Sequence, residues 1–330
     1  MKKEIIGIDV SKKTIDVCLY LIKAHKCFKN DQSGFLSMMK WIKKLSNSVI
    51  SELAFCFEHT GLYSYSLRQY LHEQQACFFM VSGLLVKRSL GLVRGKSDRV
   101  DAGNLAKFAY LHHSELKPYV LPSKDVLKLK ELLSLRGKLV RQRAGHKSFL
   151  KERKYVLQVD DQEIQVSIAQ SIVKVLTEKI KLIENEITSI YKESDELNLT
   201  FKNVVSIKGV GLIVASAVIA ATNNFKSFNN WRQFSCYSGI APFEHQSGTS
   251  IRGKTRISNL GNRQLKTLLS QSAATAIQYN TELKMYYRRR LDQGKSKLST
   301  LNIIRNKIVS RIFAVARRNS PFIDTFKFAT

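Results

Sequence analysis

Two short apolar runs, each closed by an acid, constrain this chain more than any other feature. The first is Ile5-Ile6-Gly7-Ile8-Asp9-Val10-Ser11, and the second is Leu53-Ala54-Phe55-Cys56-Phe57-Glu58-His59-Thr60-Gly61. Runs this short and this apolar read as buried strands. An acid at the C-terminal end of such a strand stands where open α/β sheets build their sites. Asp9 also fits an ordinary strand-closing turn. Glu58, directly after Phe57, lies near a core and calls for a partner or a cation.

A second pair of acids follows in Gly95-Lys96-Ser97-Asp98-Arg99-Val100-Asp101-Ala102. Their i, i+3 spacing puts Asp98 and Asp101 on one face of a helix, within reach of one divalent cation. Taken alone, the pair also fits a helix start in which Ser97 or Asp98 caps the first turn and Asp101 complements the dipole. Taken together, Asp9, Glu58, Asp98 and Asp101 can converge on one edge of a sheet as metal ligands and catalytic acids.

The order of elements supports that convergence. Residues 4–9, 14–21 and 25–29 read as three short strands of an antiparallel meander. Helical periodicity over 34–45 leads into the strand 53–58, then a helix at about 63–75 and a strand at 77–82. Strands alternating with helices imply parallel pairing. A helix from 98 to about 113 closes the domain, and Pro118 and Pro122 mark a linker.

Beyond the linker the pattern is helical over about 123–198. Apolar residues at Val173, Leu176, Ile180, Ile183, Ile187 and Ile190 alternate steps of three and four, a heptad seam that suits either an antiparallel helical hairpin or a coiled-coil dimer. Val159-Asp160-Asp161-Gln162 is the expected hairpin tip. Further on, Ile207-Lys208-Gly209-Val210-Gly211 before a small-residue helix has the form of a helix-hairpin-helix. Lys208, Gly209 and Gly211 would there meet a DNA phosphate. A tight αα-turn that needs glycine only for packing is the alternative. Residues 244–256 read as a polar loop holding Ser247, Ser250, Arg252, Lys254 and Arg256, with Ser247 the candidate nucleophile. The same loop serine also fits a plain turn former. The last segment mixes Tyr286 and Tyr287 with arginines, a composition able to stack on bases and clamp phosphates.

Charge bounds the partners. The chain of 330 residues carries 54 Lys+Arg against 26 Asp+Glu, a formal net charge of +28. That excess points to a polyanion, nucleic acid before an anionic membrane surface. Lys96 and Arg99 place cations beside the acidic pair, where they would hold a phosphodiester. No run approaches 18 apolar residues and the N-terminus lacks a signal-peptide core, so a cytoplasmic protein without membrane contact is expected. Cys18, Cys27, Cys56, Cys77 and Cys236 are odd in number and show no metal-ligand spacing, which reads as reduced core cysteines without zinc.

Four motifs in this order resemble the DEDD transposases of the insertion-sequence one-ten family, which includes the Piv-type DNA invertases. They are Gly7-Ile8-Asp9-Val10-Ser11-Lys12, Glu58-His59-Thr60-Gly61-Leu62-Tyr63, Lys96-Ser97-Asp98-Arg99-Val100-Asp101-Ala102, and the stretch from Ser247-Gly248-Thr249-Ser250 through Arg256-Ile257 to Gly261-Asn262. The resemblance implies an α/β plus α fold. Residues 1–115 would form a ribonuclease H-like (RuvC-like) DEDD domain, 123–198 a coiled-coil middle, and 203–330 a mainly helical transposase domain with the helix-hairpin-helix and serine loop. It places the acidic tetrad on Asp9, Glu58, Asp98 and Asp101 and the catalytic serine on Ser247, with Ser250 three residues away. It further implies Mg²⁺ (or Mn²⁺), donor and target DNA, a bridge RNA as guide, and a homo-oligomer, dimer or tetramer. Lys266 departs from the pattern, standing where the family pattern has arginine.

Three other readings compete. Gly7-Ile8-Asp9-Val10-Ser11 is also similar to the first phosphate loop of actin-like sugar kinases, whose further glycine-rich loops have no counterpart here. A junction-resolving nuclease would use the same acids with water. A non-catalytic nucleic-acid scaffold would bind without them.

Overall fold

The computed structural model describes residues 4–91, 97–157, 163–247 and 251–324. The chain forms two compact units, Met1–Leu121 and Pro122–Thr330.

In the first unit, β1 (Glu4–Val10), β2 (Thr14–Leu19) and β3 (Ala24–Lys29) are followed by α1 (Gln32–Ser46), β4 (Leu53–Glu58), α2 (Tyr65–Glu73) and β5 (Cys77–Val81). Helices α3 (Gly83–Leu90) and α4 (Asp98–His112) complete it. The sheet order is β3-β2-β1-β4-β5. β2 runs antiparallel to β1 and β3, while β1, β4 and β5 are parallel. This mixed α/β arrangement fits the ribonuclease H-like expectation.

Alternation along the strands sends successive side chains to opposite faces. Ile6, Ile8, Phe55 and Phe57 pack with Phe35, Met38, Leu67 and Leu71 of α1 and α2 on one face. Ile5, Ala54 and Cys56 pack with Val86, Leu105 and Phe108 of α3 and α4 on the other. Each fully buried phenylalanine contributes roughly 2–3 kcal/mol. α1 starts on Asp31, whose side chain accepts from the Gly34 amide at 2.8 Å, and stops at Asn47 in the left-handed conformation (φ 47°).

The second unit holds α5 (Lys124–Glu152), α6 (Ile164–Glu193), α7 (Asp195–Val205), α8 (Leu212–Thr222), α9 (Trp231–Tyr237), β6 (Pro242–Ser247), β7 (Ile251–Ile257), α10 (Arg263–Tyr279), α11 (Thr281–Asp292) and α12 (Lys297–Arg318). Arg136 pairs with Glu184 (2.7 Å) and Arg153 with Glu163 (3.8 Å), so α5 and α6 run antiparallel as a hairpin. The heptad positions Ile180, Ile183, Ile187 and Ile190 are buried, while Val173 and Leu176 are half-buried. The expected tip at Val159–Gln162 lies outside the described residues. α8 is apolar on all sides and sits at the centre of the core with α5, α10 and α12.

Two expectations are corrected. The polar loop over 244–256 is an antiparallel ribbon, β6 with β7, paired from Pro242–Ile257 to Ser247–Ile251 with an irregularity between Phe243 and His245. Its apolar content is too low to read as strand, because the ribbon has no sheet to cover it. The cysteines are free, but Cys56 is the buried one; Cys18 and Cys77 are half-buried, and Cys27 and Cys236 are exposed. Strand position alone does not bury a residue of edge strand β3. Among the described residues no helix is long and apolar enough to cross a membrane.

Candidate active site

α4 can reach β1 because Gly7 lacks a side chain. A Cβ at Gly7 would fall 2.1 Å from the carbonyl oxygen of Ala102 and 2.4 Å from the amide nitrogen of Ala106. The helix backbone therefore lies directly on the strand, which only glycine allows. Asp9 is two residues along β1 on the same face. Ser97 caps α4, its hydroxyl accepting from the Val100 amide at 3.3 Å, and Asp98 and Asp101 occupy the first turn. Since the cap comes from Ser97, neither carboxylate is needed for it.

The electrostatics show which acids the fold gathers. The Asp9 carboxyl is pushed up to about 6, first by burial and then by the charges of Asp101, Asp98 and Asp16, against an opposing hydrogen bond from the Val10 amide. Asp9 thus shares one field with both α4 acids. Asp16, which the sequence reading missed, faces Asp9 across the β1–β2 ladder. It receives a hydrogen bond or ion pair from His25 Nε2 at 2.9 Å. The alternation of Thr14-Ile15-Asp16-Val17-Cys18-Leu19 was the available signal, since an antiparallel partner with Ile15, Val17 and Leu19 inward must turn Asp16 to the Asp9 face.

Glu58 stands next to this group along the sheet. Ile8 pairs with Phe57, and one residue further each strand carries its acid. The Glu58 carboxylate lies over Gly83, the first residue of α3, with its oxygens 2.3 and 2.5 Å from where a Gly83 Cβ would be. Gly83 is the second residue that sequence reasoning passed over, and it makes room for Glu58.

Among the described residues no three carboxylates, histidines or cysteines close on one ion. Glu58 is exposed, not held near a core as its place after Phe57 suggested, because it is the last residue of β4. The donor set nevertheless fits a hard divalent cation: carboxylates that are half-exposed at Asp9 and Asp101 and exposed at Glu58 and Asp98, with a mutual repulsion at Asp9 that such a charge relieves.

Ser247 ends β6 opposite Ile251, in the second unit, and Ser250 lies outside the described residues. On β7, positions Arg252, Lys254 and Arg256 recur at every second residue, and Arg256 is exposed. Lys96 lies outside the described residues, whereas Arg99 is exposed on α4. Lys208 and Gly211 are exposed in the turn between α7 and α8. Gly209 has a clear structural duty: its φ is 93° and a Cβ would meet Ser272 O of α10 at 2.6 Å. Packing therefore requires that glycine. Tyr286 and Tyr287 pack partly against the core, and the Tyr286 ring is engaged by Lys307 at 4.5 Å.

Comparison with known proteins decides the family. A model of the IS110-type DEDD transposase domain, described as "Transposase", matches residues 6–153. One described as "Transposase IS116/IS110/IS902 family" matches residues 202–288. The "Pilin gene-inverting protein" of Moraxella bovis is 28% identical over 98% of both chains. The chain belongs to the IS110 family of DEDD transposases and DNA invertases. The pilin gene-inverting protein of Moraxella lacunata is as similar, at 28% over 98% of each chain. The "Transposase for insertion sequence element IS1111A" of Coxiella burnetii is 27% identical over 42% of this chain and 38% of its own. The first family match carries Asp9, Glu58, Asp98 and Asp101, and the second carries Ser247.

Proposed function

We propose that this IS110-family chain is a DNA recombinase that cuts and rejoins strands with the acids of its first unit and a serine of its second. The observation that carries this is the shared field of Asp9, Asp98 and Asp101 on the face where Gly7 admits α4. Charge repulsion of that kind costs stability and is retained where chemistry needs it. In this reading 1–115 is the DEDD domain, 123–198 a coiled-coil region, and 203–330 a transposase domain with a helix-hairpin-helix around Lys208 and Gly211.

Asp9, Asp98 and Asp101, with Glu58 from the neighbouring strand, would hold Mg²⁺ or Mn²⁺. The exposed Asp98 and half-exposed Asp101 side chains are free to turn toward Asp9. Such an ion supplies positive charge at a transferring phosphoryl group. Ser247 Oγ attacks the phosphorus, the bond to one deoxyribose oxygen breaks, and that oxygen leaves as a hydroxyl with the proton the serine gives up. The phosphoserine ester keeps the energy of the broken linkage, so a second deoxyribose hydroxyl can reverse the step on a new strand. Arg99 and Lys96, and the alternating Arg252, Lys254 and Arg256, neutralise the phosphates.

The net charge of +28 suits a guide RNA in addition to donor and target DNA. Ile164 (74% exposed), Ile168 and Leu182 give α6 an apolar surface suited to a homo-oligomer. Transposition is the preferred reaction. Inversion is the second reading, favoured by full-length similarity to gene-inverting proteins. The test is covalent capture: purified protein with DNA bearing its native flanks and Mg²⁺, stopped in detergent. A protein–DNA adduct mapped to Ser247 is expected, absent in Ser247→Ala and Asp101→Ala. An adduct that persists in Ser247→Ala would refute the serine assignment.

A further inference from the structure

The second unit contains a cavity of about 1080 Å³ between α9, the root of the β6–β7 ribbon, α10 and α12. Its size exceeds most small-ligand sites and suits a segment of chain. Arg232, Arg256, Lys266 and Arg305 line it together with Trp231 and Phe243, and no carboxylate does so among the described residues. Four cations without a counter-charge facing one space, one of them buried, favour an anion there.

Arg305 makes the case sharpest. The residue is buried, at 9% exposure, and burial lowers its pKa. It donates through Nη1 to Asn302 Oδ1 at a long 3.3 Å, while its Nε has no partner. Asn302 cannot help further: its amide donates to Ile240 O at 2.9 Å, and the Asn306 amide donates to the same oxygen at 3.0 Å. Ser235 Oγ, on α9, is likewise buried and unpaired. A guanidinium on the wall of a cationic cavity, held by one long hydrogen bond, matches the oxygens of a phosphate. The remaining wall is aromatic and aliphatic: Trp231, the half-exposed Phe243 and the exposed Leu298. That wall matches an unstacked base.

We propose that this groove is a binding site for a single-stranded phosphodiester segment, with Arg305, Lys266 and Arg256 on a phosphate and a base against Trp231 and Phe243. The site rests on the recombinase reading and deepens it. Phe243 and Arg256 belong to the root of the ribbon whose far end carries Ser247, about 14 Å from Phe243 along an extended strand. A strand anchored here is led along the ribbon toward the serine. DNA and RNA share the recognised chemistry.

The test uses the full chain with Trp41→Phe, which leaves Trp231 as its one tryptophan. Fluorescein-labelled single-stranded DNA and RNA decamers are titrated in, and both anisotropy and Trp231 emission are followed. The proposal expects Trp231 quenching that tracks the anisotropy. Arg305→Met and, as a variant that empties no core position, Lys266→Ala should each weaken binding roughly tenfold and lower the salt slope by about one. Tighter binding of DNA would assign the groove to the recombining strand, and of RNA to the guide; either supports the site. Unchanged affinity in both variants with silent Trp231 overturns the groove while leaving the recombinase reading intact. If the wild type binds neither oligonucleotide at low salt, groove and recombinase reading both fall.

Discussion

Asp9→Asn should make the metal-free protein more stable at neutral pH while abolishing recombination. The Asp9 carboxyl is raised from 3.8 to about 6 by burial and by Asp101, Asp98 and Asp16. A raised carboxyl pKa means that the folded state holds the proton more tightly than the unfolded one. Below about pH 4 both states are protonated and Asp9 costs nothing; between about 4 and 6 a penalty grows, and above 6 it is complete. At 1.36 kcal/mol per pKa unit the full effect would be about 3 kcal/mol, and partial solvent screening reduces it to roughly 1–2 kcal/mol. Asparagine keeps the acceptor for the Val10 amide and removes the charge. In a chelating buffer, thermal unfolding should show a gain of about 3–6 °C at pH 7 that vanishes near pH 4. A loss of stability at pH 7, or a gain independent of pH, would refute the reasoning that burial and like charge set the state of Asp9.

Other perturbations follow from the same geometry. Adding Mg²⁺ at pH 7 should raise the unfolding midpoint of the wild type, and a calorimetric scan should show that rise lost in Asp101→Asn. Gly7→Ala drives a methyl into Ala102 O and Ala106 N, so denaturant unfolding should show a loss of about 3 kcal/mol or more in the first unit. Gly209→Ala combines a positive φ with a clash on α10 and should destabilise the second unit by roughly 2–3 kcal/mol. Ser97→Ala removes the α4 cap and should cost about 1 kcal/mol, read by amide exchange in the first turn.

The first unit was largely legible because its strands carry local signals. Runs such as Leu53–Glu58 are apolar enough to mark their own ends, and Ser97 announces α4. What stayed hidden depended on pairs of elements. Asp16 enters the site only through the β1–β2 register, and Gly7 matters only because α4 lies on it. In the second unit the ribbon carries no strand signal in the sequence, because its residues are polar and it has no sheet to bury a face. The groove cations come from positions 232, 256, 266 and 305, too far apart in sequence for any motif to link. Gly209 was legible as a special backbone position, but only its neighbours on α10 show that packing requires it.

The most direct test of the account is recombination in cells, scored by sequencing junctions from a plasmid that carries this gene with its native flanks. Wild type should give joined junctions, and Asp101→Ala and Ser247→Ala none, with both variants present at wild-type levels. Junctions from Asp101→Ala at the wild-type frequency would contradict the claim that the α4 acids and Asp9 form the catalytic centre.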